Sequence, residues 1–139
     1  MNTKNIIAGV LGGIVRFFLG WIIYGMLLMS YMEENMASGF NRAEEDMQFP
    51  ALIAGNLFFG FFLVYIFSAW ASARSFMGGM KVGFILGLLM SASIGMELFA
   101  VSTIYNNMTT VLVDMSAVAV MTAITGGVVG WWMGRGDSK

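Results

Sequence analysis

The chain contains no cysteine and no histidine. Disulfides, thiolate nucleophiles, zinc sites of the usual kind, histidine-ligated haem and histidine proton relays are therefore excluded. Proline occurs once, as Pro50. Charge is scarce, with only 11% of residues charged against roughly 25% in soluble domains. Seven basic residues face eight acidic ones, for a net charge of −1, so no basic surface points to nucleic acid. There is no phosphate loop, no HExxH and no nucleophile beside an evident base. These absences lead to the expectation of a protein that is not an enzyme and holds neither cofactor nor metal.

What is abundant is apolar. Hydrophobic residues make up 58% of the chain, and they gather into four runs, about 6–31, 49–71, 82–105 and 111–134. Each meets the ~20 residues needed to cross a hydrocarbon core. Helix is expected over strand, because a lipid-exposed segment must satisfy its own backbone polar groups and the runs lack period-2 alternation. The expected fold is all-α, one integral membrane domain of four transmembrane helices over residues 1–139, with a loop at 32–48. The first run is too long for the ~7–15-residue apolar region of a cleavable signal peptide.

Orientation is read from Lys and Arg. Lys4, Arg74, Lys81, Arg135 and Lys139 fall on one side and only Arg42 on the other, so the positive-inside rule places both termini in the cytoplasm. The 32–48 loop is then external and acidic, with Glu33, Glu34, Glu44, Glu45 and Asp46. Within it, Asn41 with Glu44 three residues later resembles a capping box for a short helix.

Small residues recur every four positions in the third run, at Gly79, Gly83, Gly87, Ser91 and Gly95. The fourth run repeats the spacing with Thr122, Gly126, Gly130 and Gly134. Such stripes let helix backbones approach closely, which favours association in lipid. The expectation is an antiparallel hairpin of spans three and four, with docking of a second protein on one stripe as the alternative. Gly9 and Gly13 are a shorter version in span one.

Three charged residues and one asparagine fall inside the runs. Arg16 interrupts an otherwise uncharged stretch from Asn5 to Met32. It lies about 15 Å from the inner boundary at 1.5 Å per residue, near mid-membrane. Glu97 and Asn56 come out at ~12 and ~9 Å below the outer boundary. An Arg16–Glu97 pair with Asn56 nearby is the expected polar core, read either as an orienting pair or as a proton or ion site. Asp114 is shallower and is expected to cap the outer end of span four. Met26, Met29, Met32 and Met36 form a stripe expected to fill irregular gaps, with soft Cu(I) ligation as the alternative.

The segments Gly20-Trp21-Ile22-Ile23-Tyr24-Gly25 and Leu112-Val113-Asp114, the latter followed by a glycine-rich helix ending Gly130-Trp131, resemble those of small four-helix bacterial integral membrane proteins for which no activity is established. The resemblance implies a four-helix fold in a bacterial inner membrane and no activity. With the lack of catalytic motifs, it leads to the expectation of an accessory, assembly or regulatory subunit, in contact with the bilayer and with a membrane protein partner or further copies of itself. A small oligomeric transporter or channel with an Arg–Glu site is the alternative.

Overall fold

The computed structural model describes residues 2–39, 42–70 and 73–135. The Asn41 cap, the Lys139 charge and the end of the second run at Ala71 lie outside them. The described residues are helical apart from short connections, and four of the helical segments are long and apolar enough to cross a membrane. Helix α1 (Thr3–Ile22) runs into a π-helical turn at Ile23–Leu27, and a short α2 (Met29–Asn35) follows. A single 3₁₀ turn covers Glu44–Asp46. Helices α3 (Phe49–Ala69), α4 (Phe76–Val101) and α5 (Met108–Gly134) complete the chain.

The helix ends follow from local chemistry. Orphan N–H groups in the first turn need acceptors. Asn2 supplies one to Asn5 N–H at 2.8 Å, Ser75 one to Gly78 N–H at 2.9 Å, and Asn107 one to Thr110 N–H at 2.9 Å. Pro50 sits in the first turn of α3, where its missing N–H removes no bond. At the far end of α3, Arg74 donates to the carbonyl of Ser68 and to that of Phe67, which also accepts the Trp70 N–H at 3.2 Å, so these last-turn carbonyls are satisfied from beyond the helix. Ser75 also starts α4 six residues ahead of the apolar run at Val82, and the helix ends at Val101, with Ser102 extended. Hydropathy alone shifts this span outward, because Ile104 and Tyr105 are apolar but lie in the connection.

Across the bundle the order is α3, α1, α5, α4, each helix packing chiefly on its neighbours. Lys4 donates to the Arg135 carbonyl at 2.5 Å, and the Trp132 indole N–H donates to the Lys4 carbonyl at 3.2 Å. The start of α1 and the end of α5 therefore share one end with Arg74, called the basic end below. The apolar core lies toward that end. Leu63, Val64 and Phe67 of α3, Ala8 of α1, and Val129 and Met133 of α5 are buried together, with Val82 and Leu86 of α4 against them.

Two seams bring backbones into contact. In the α4–α5 seam, Gly79, Gly83, Gly87, Ser91 and Gly95 are all buried. A Cβ on Gly79 would collide with the Gly126 carbonyl oxygen, and one on Gly130 with the carbonyls of Ala73 and Ser75. Gly83 and Gly87 meet Thr122, while Gly95 faces the Val111 side chain more loosely. The buried Ser91 hydroxyl returns to the Gly87 carbonyl at 2.6 Å, so it costs the seam no unsatisfied donor. The stripe is thus occupied within the chain. In the α1–α3 seam, Gly60 lies between Gly9 and Gly13, and a Cβ on it would strike the Gly9 carbonyl oxygen.

Candidate functional site

The α1 face that carries Gly12 and Gly20 also presents Arg16 between them, and Tyr24 lies beyond it in the π turn. Arg16 Nη1 donates to Asn56 Oδ1 on α3 at 2.9 Å. Asn56 is 6% exposed, and its own amide nitrogen donates back to the Leu52 carbonyl at 2.8 Å. That second bond fixes the amide orientation, with the oxygen aimed at Arg16. The guanidinium carbon stands 4.4 Å from the centroid of the Phe59 ring, a cation–π arrangement. Arg16 Nε is buried with no hydrogen-bond partner. Among the described residues no carboxylate makes an ion pair with this guanidinium.

Glu97 is not brought to Arg16. Its side chain is exposed, and its Oε1 accepts from the Ser93 hydroxyl one turn earlier at 3.3 Å. The reason is rotational. Gly79 through Gly95 turn one face of α4 to α5, and Glu97, two residues beyond Gly95, points about 200° away from it. With α5 interposed between α4 and α1, the expected pair does not form.

Asp114 does not cap α5; Asn107 does. Asp114 instead accepts two phenol hydrogens, from Tyr24 at Oδ1, 2.5 Å, and from Tyr105 at Oδ2, 2.8 Å. Tyr24 stands on the π turn, whose wider winding adds a residue to the helix; such turns are frequent at functional positions. Tyr105, 8% exposed, belongs to the α4–α5 connection. That connection pairs with the chain leaving α2: Met36 bridges Tyr105, Ala37 N–H donates to the Ile104 carbonyl at 2.9 Å, and Asn106 N–H donates to the Asn35 carbonyl at 3.0 Å. One carboxylate thus joins the π turn, α5 and the α4–α5 connection, which itself pairs with the chain leaving α2, at the end opposite the basic one. Nothing in the sequence pattern singles out the two tyrosines as its donors; the available signal is an aspartate within a span.

Burial first, and then the Asp114 carboxylate it faces, hold the Tyr105 phenol above its ordinary value of 10.0. A proton held more tightly in the folded chain stabilises it fully below the unfolded pKa and progressively less as pH climbs past it. The chain is therefore expected to lose thermal stability in detergent above about pH 10, and Tyr105→Phe to lose less over the same range. Equal losses in the two proteins would contradict this origin.

Beside the π turn, an open groove of about 480 Å³ runs between Ile23, Leu27 and Leu28 on one side and Leu112, Val113 and Val120 on the other. It is apolar and carries no convergent polar group. The methionine stripe does not converge either: Met26 and Met29 are 62% and 50% exposed, while Met32 is buried. Met26 stands in the π turn and Met29 opens α2, so the two do not share one helical register. The arrangement as a whole offers anchored hydrogen bonds and one unneutralised cation, and no nucleophile–base pair.

No family model, curated protein or solved structure matches the chain.

Proposed function

We propose that this chain is a small, non-enzymatic membrane protein that serves as an accessory, assembly or regulatory subunit of a larger membrane complex. Its orientation would put both termini in the cytoplasm of a bacterial cell, since Lys4, Arg74, Lys81 and Arg135 cluster toward one end. The observation that carries the reading is Arg16. It lies 13 residues into α1, about 20 Å from the start of the helix, within a helical segment long and apolar enough to cross a membrane. An ionised side chain near the bilayer centre costs roughly 3 kcal/mol. Asn56 and Phe59 supply one hydrogen bond and one ring face, but no opposite charge. A second chain that brings the counter-charge would offset this cost, which a solitary four-helix protein does not do for itself. The transporter alternative needs Arg16 and Glu97 in one site, and they occupy different helices and different faces.

A tagged full-length chain, extracted gently from its own membranes, is expected to migrate with a larger partner in fixed stoichiometry. Arg16→Leu is expected to be made and folded but to migrate alone. Recovery of the wild-type chain only as a monomer or homo-oligomer would overturn the subunit reading.

A further inference from the structure

Gly55 differs from the other glycines embedded in these helices. Gly9, Gly13, Gly60, Gly79, Gly83 and Gly126 each face a neighbouring helix so closely that a Cβ would force a shift. A Cβ on Gly55 would meet nothing within 4 Å. Glycine within a helix costs about 0.5–1 kcal/mol relative to alanine, and at Gly55 no contact inside the chain offsets it. Ala51, one turn earlier, is exposed as well. One turn later on the same side of α3 comes Phe59, the ring beneath the Arg16 guanidinium. The flank of α3 is therefore a shallow notch, Ala51–Gly55, leading to a half-buried cation. Phe58 beside it is 76% exposed.

Resting on the subunit reading above, we propose that this flank is the docking surface, and that its occupant is a transmembrane helix of another protein carrying an aspartate or glutamate at the depth of Arg16. The small residues let a foreign helix backbone come close, and closeness lets a short carboxylate reach a guanidinium already oriented by Asn56. Charge selects the partner. A second copy docked on the same face would set Arg16 against Arg16, a like-charge contact that disfavours the pairing. Glu97 of such a copy would not serve, because it lies 21 residues into α4, about 12 Å farther from the basic end than Arg16. The ligand chemistry is a single buried carboxylate on an apolar helix, held by the forked donors of an arginine.

The test uses the full chain reconstituted in phosphatidylcholine vesicles and labelled leucine–alanine transmembrane peptides that differ at one central residue: Glu, Gln or Lys. Association is read by energy transfer across a dilution series in lipid. The wild-type chain is expected to bind the Glu peptide about 5-fold or more tightly than the Gln peptide, in keeping with interhelical polar contacts, and the Lys peptide least. Arg16→Leu is expected to abolish the preference, and Gly55→Leu to weaken the Glu peptide while leaving the melting temperature in place. Equal affinity for the Glu and Gln peptides, or a preference that survives in Arg16→Leu, would overturn the proposal. These outcomes are separable from the extraction experiment: a stoichiometric partner with no Glu preference leaves the subunit reading standing and removes only this docking surface.

Discussion

Replacing Gly126 with leucine is expected to unseat α4 from α5 and to cost the fold about 3 kcal/mol, the upper part of the range for overpacking. The number follows from what the new side chain meets. A Cβ at position 126 would stand 2.5 Å from the Gly79 carbonyl oxygen and 3.1 Å from the Gly83 Cα. Both are backbone, so no rotamer change can yield space, and the two helices must separate. Separation forfeits the close approach along the whole seam, from Gly130 against the Ser75 carbonyl to Ser91, because rigid helices cannot part at one point only. Gly55→Leu is the matched control, the same substitution on a helix face with open space. Thermal unfolding in detergent should show a large loss for the first and none for the second. Indistinguishable melting curves would mean that the seam is not held by backbone proximity.

Asp114→Ala is the second large effect. Two phenols, Tyr24 and Tyr105, would lose their common acceptor. A hydrogen bond to a charged group contributes about 1.5–3 kcal/mol, so a loss of about 3 kcal/mol is expected after partial relaxation of the two phenols. Asp114→Asn should fall between, since its amide keeps one acceptor oxygen. The effect should also be local. Ala37 and Asn106 hold the two connections together through backbone bonds, and Tyr105 sits between them. Their amide hydrogens should exchange faster in Asp114→Ala while those near Leu63 and Phe67 do not. Unchanged exchange at Ala37 and Asn106 would show that the carboxylate does not fasten this end of the bundle.

These two sites differ in how far residue order reveals them. Four helices follow from the apolar runs, and the pairing in the α4–α5 seam and the faces turned to it follow from small residues at four-residue spacing. The same arithmetic also sets Glu97 on the opposite face of α4, and depth alone misleads because it ignores rotation about the helix axis. Asn56 is legible as a polar residue at the right depth, but its role as the bond to Arg16 depends on which helices are neighbours. Gly60 leaves no stripe of its own, since Asn56 and Val64 flank it at four residues, and it becomes meaningful only against Gly9 and Gly13. The Tyr24–Asp114 contact is the least legible. It depends on a π turn that moves Tyr24 out of regular α-helical register, and no side-chain pattern in Ile23–Leu27 announces the extra residue. Asp114 as a cap is a sound inference from its position, overridden because Asn107 supplies a capping oxygen seven residues earlier.

The helix order α3, α1, α5, α4 has a consequence for how the chain is assembled. Each principal seam joins long helices that follow one another along the sequence, the short α2 aside: α1 with α3 through Gly60, and α4 with α5 through Gly79 and Gly126. The molecule is two hairpins, each complete in its own packing, which then meet where Gly12 faces Val129 and Gly20 faces Met121. Contacts close in sequence form with little loop-closure cost. During synthesis the first hairpin can close before the second has left the ribosome, and the last event is the docking of two preformed pairs. Arg16 is on the first pair and already bonded within it, so its guanidinium is oriented and still short of a counter-charge from the moment that pair forms.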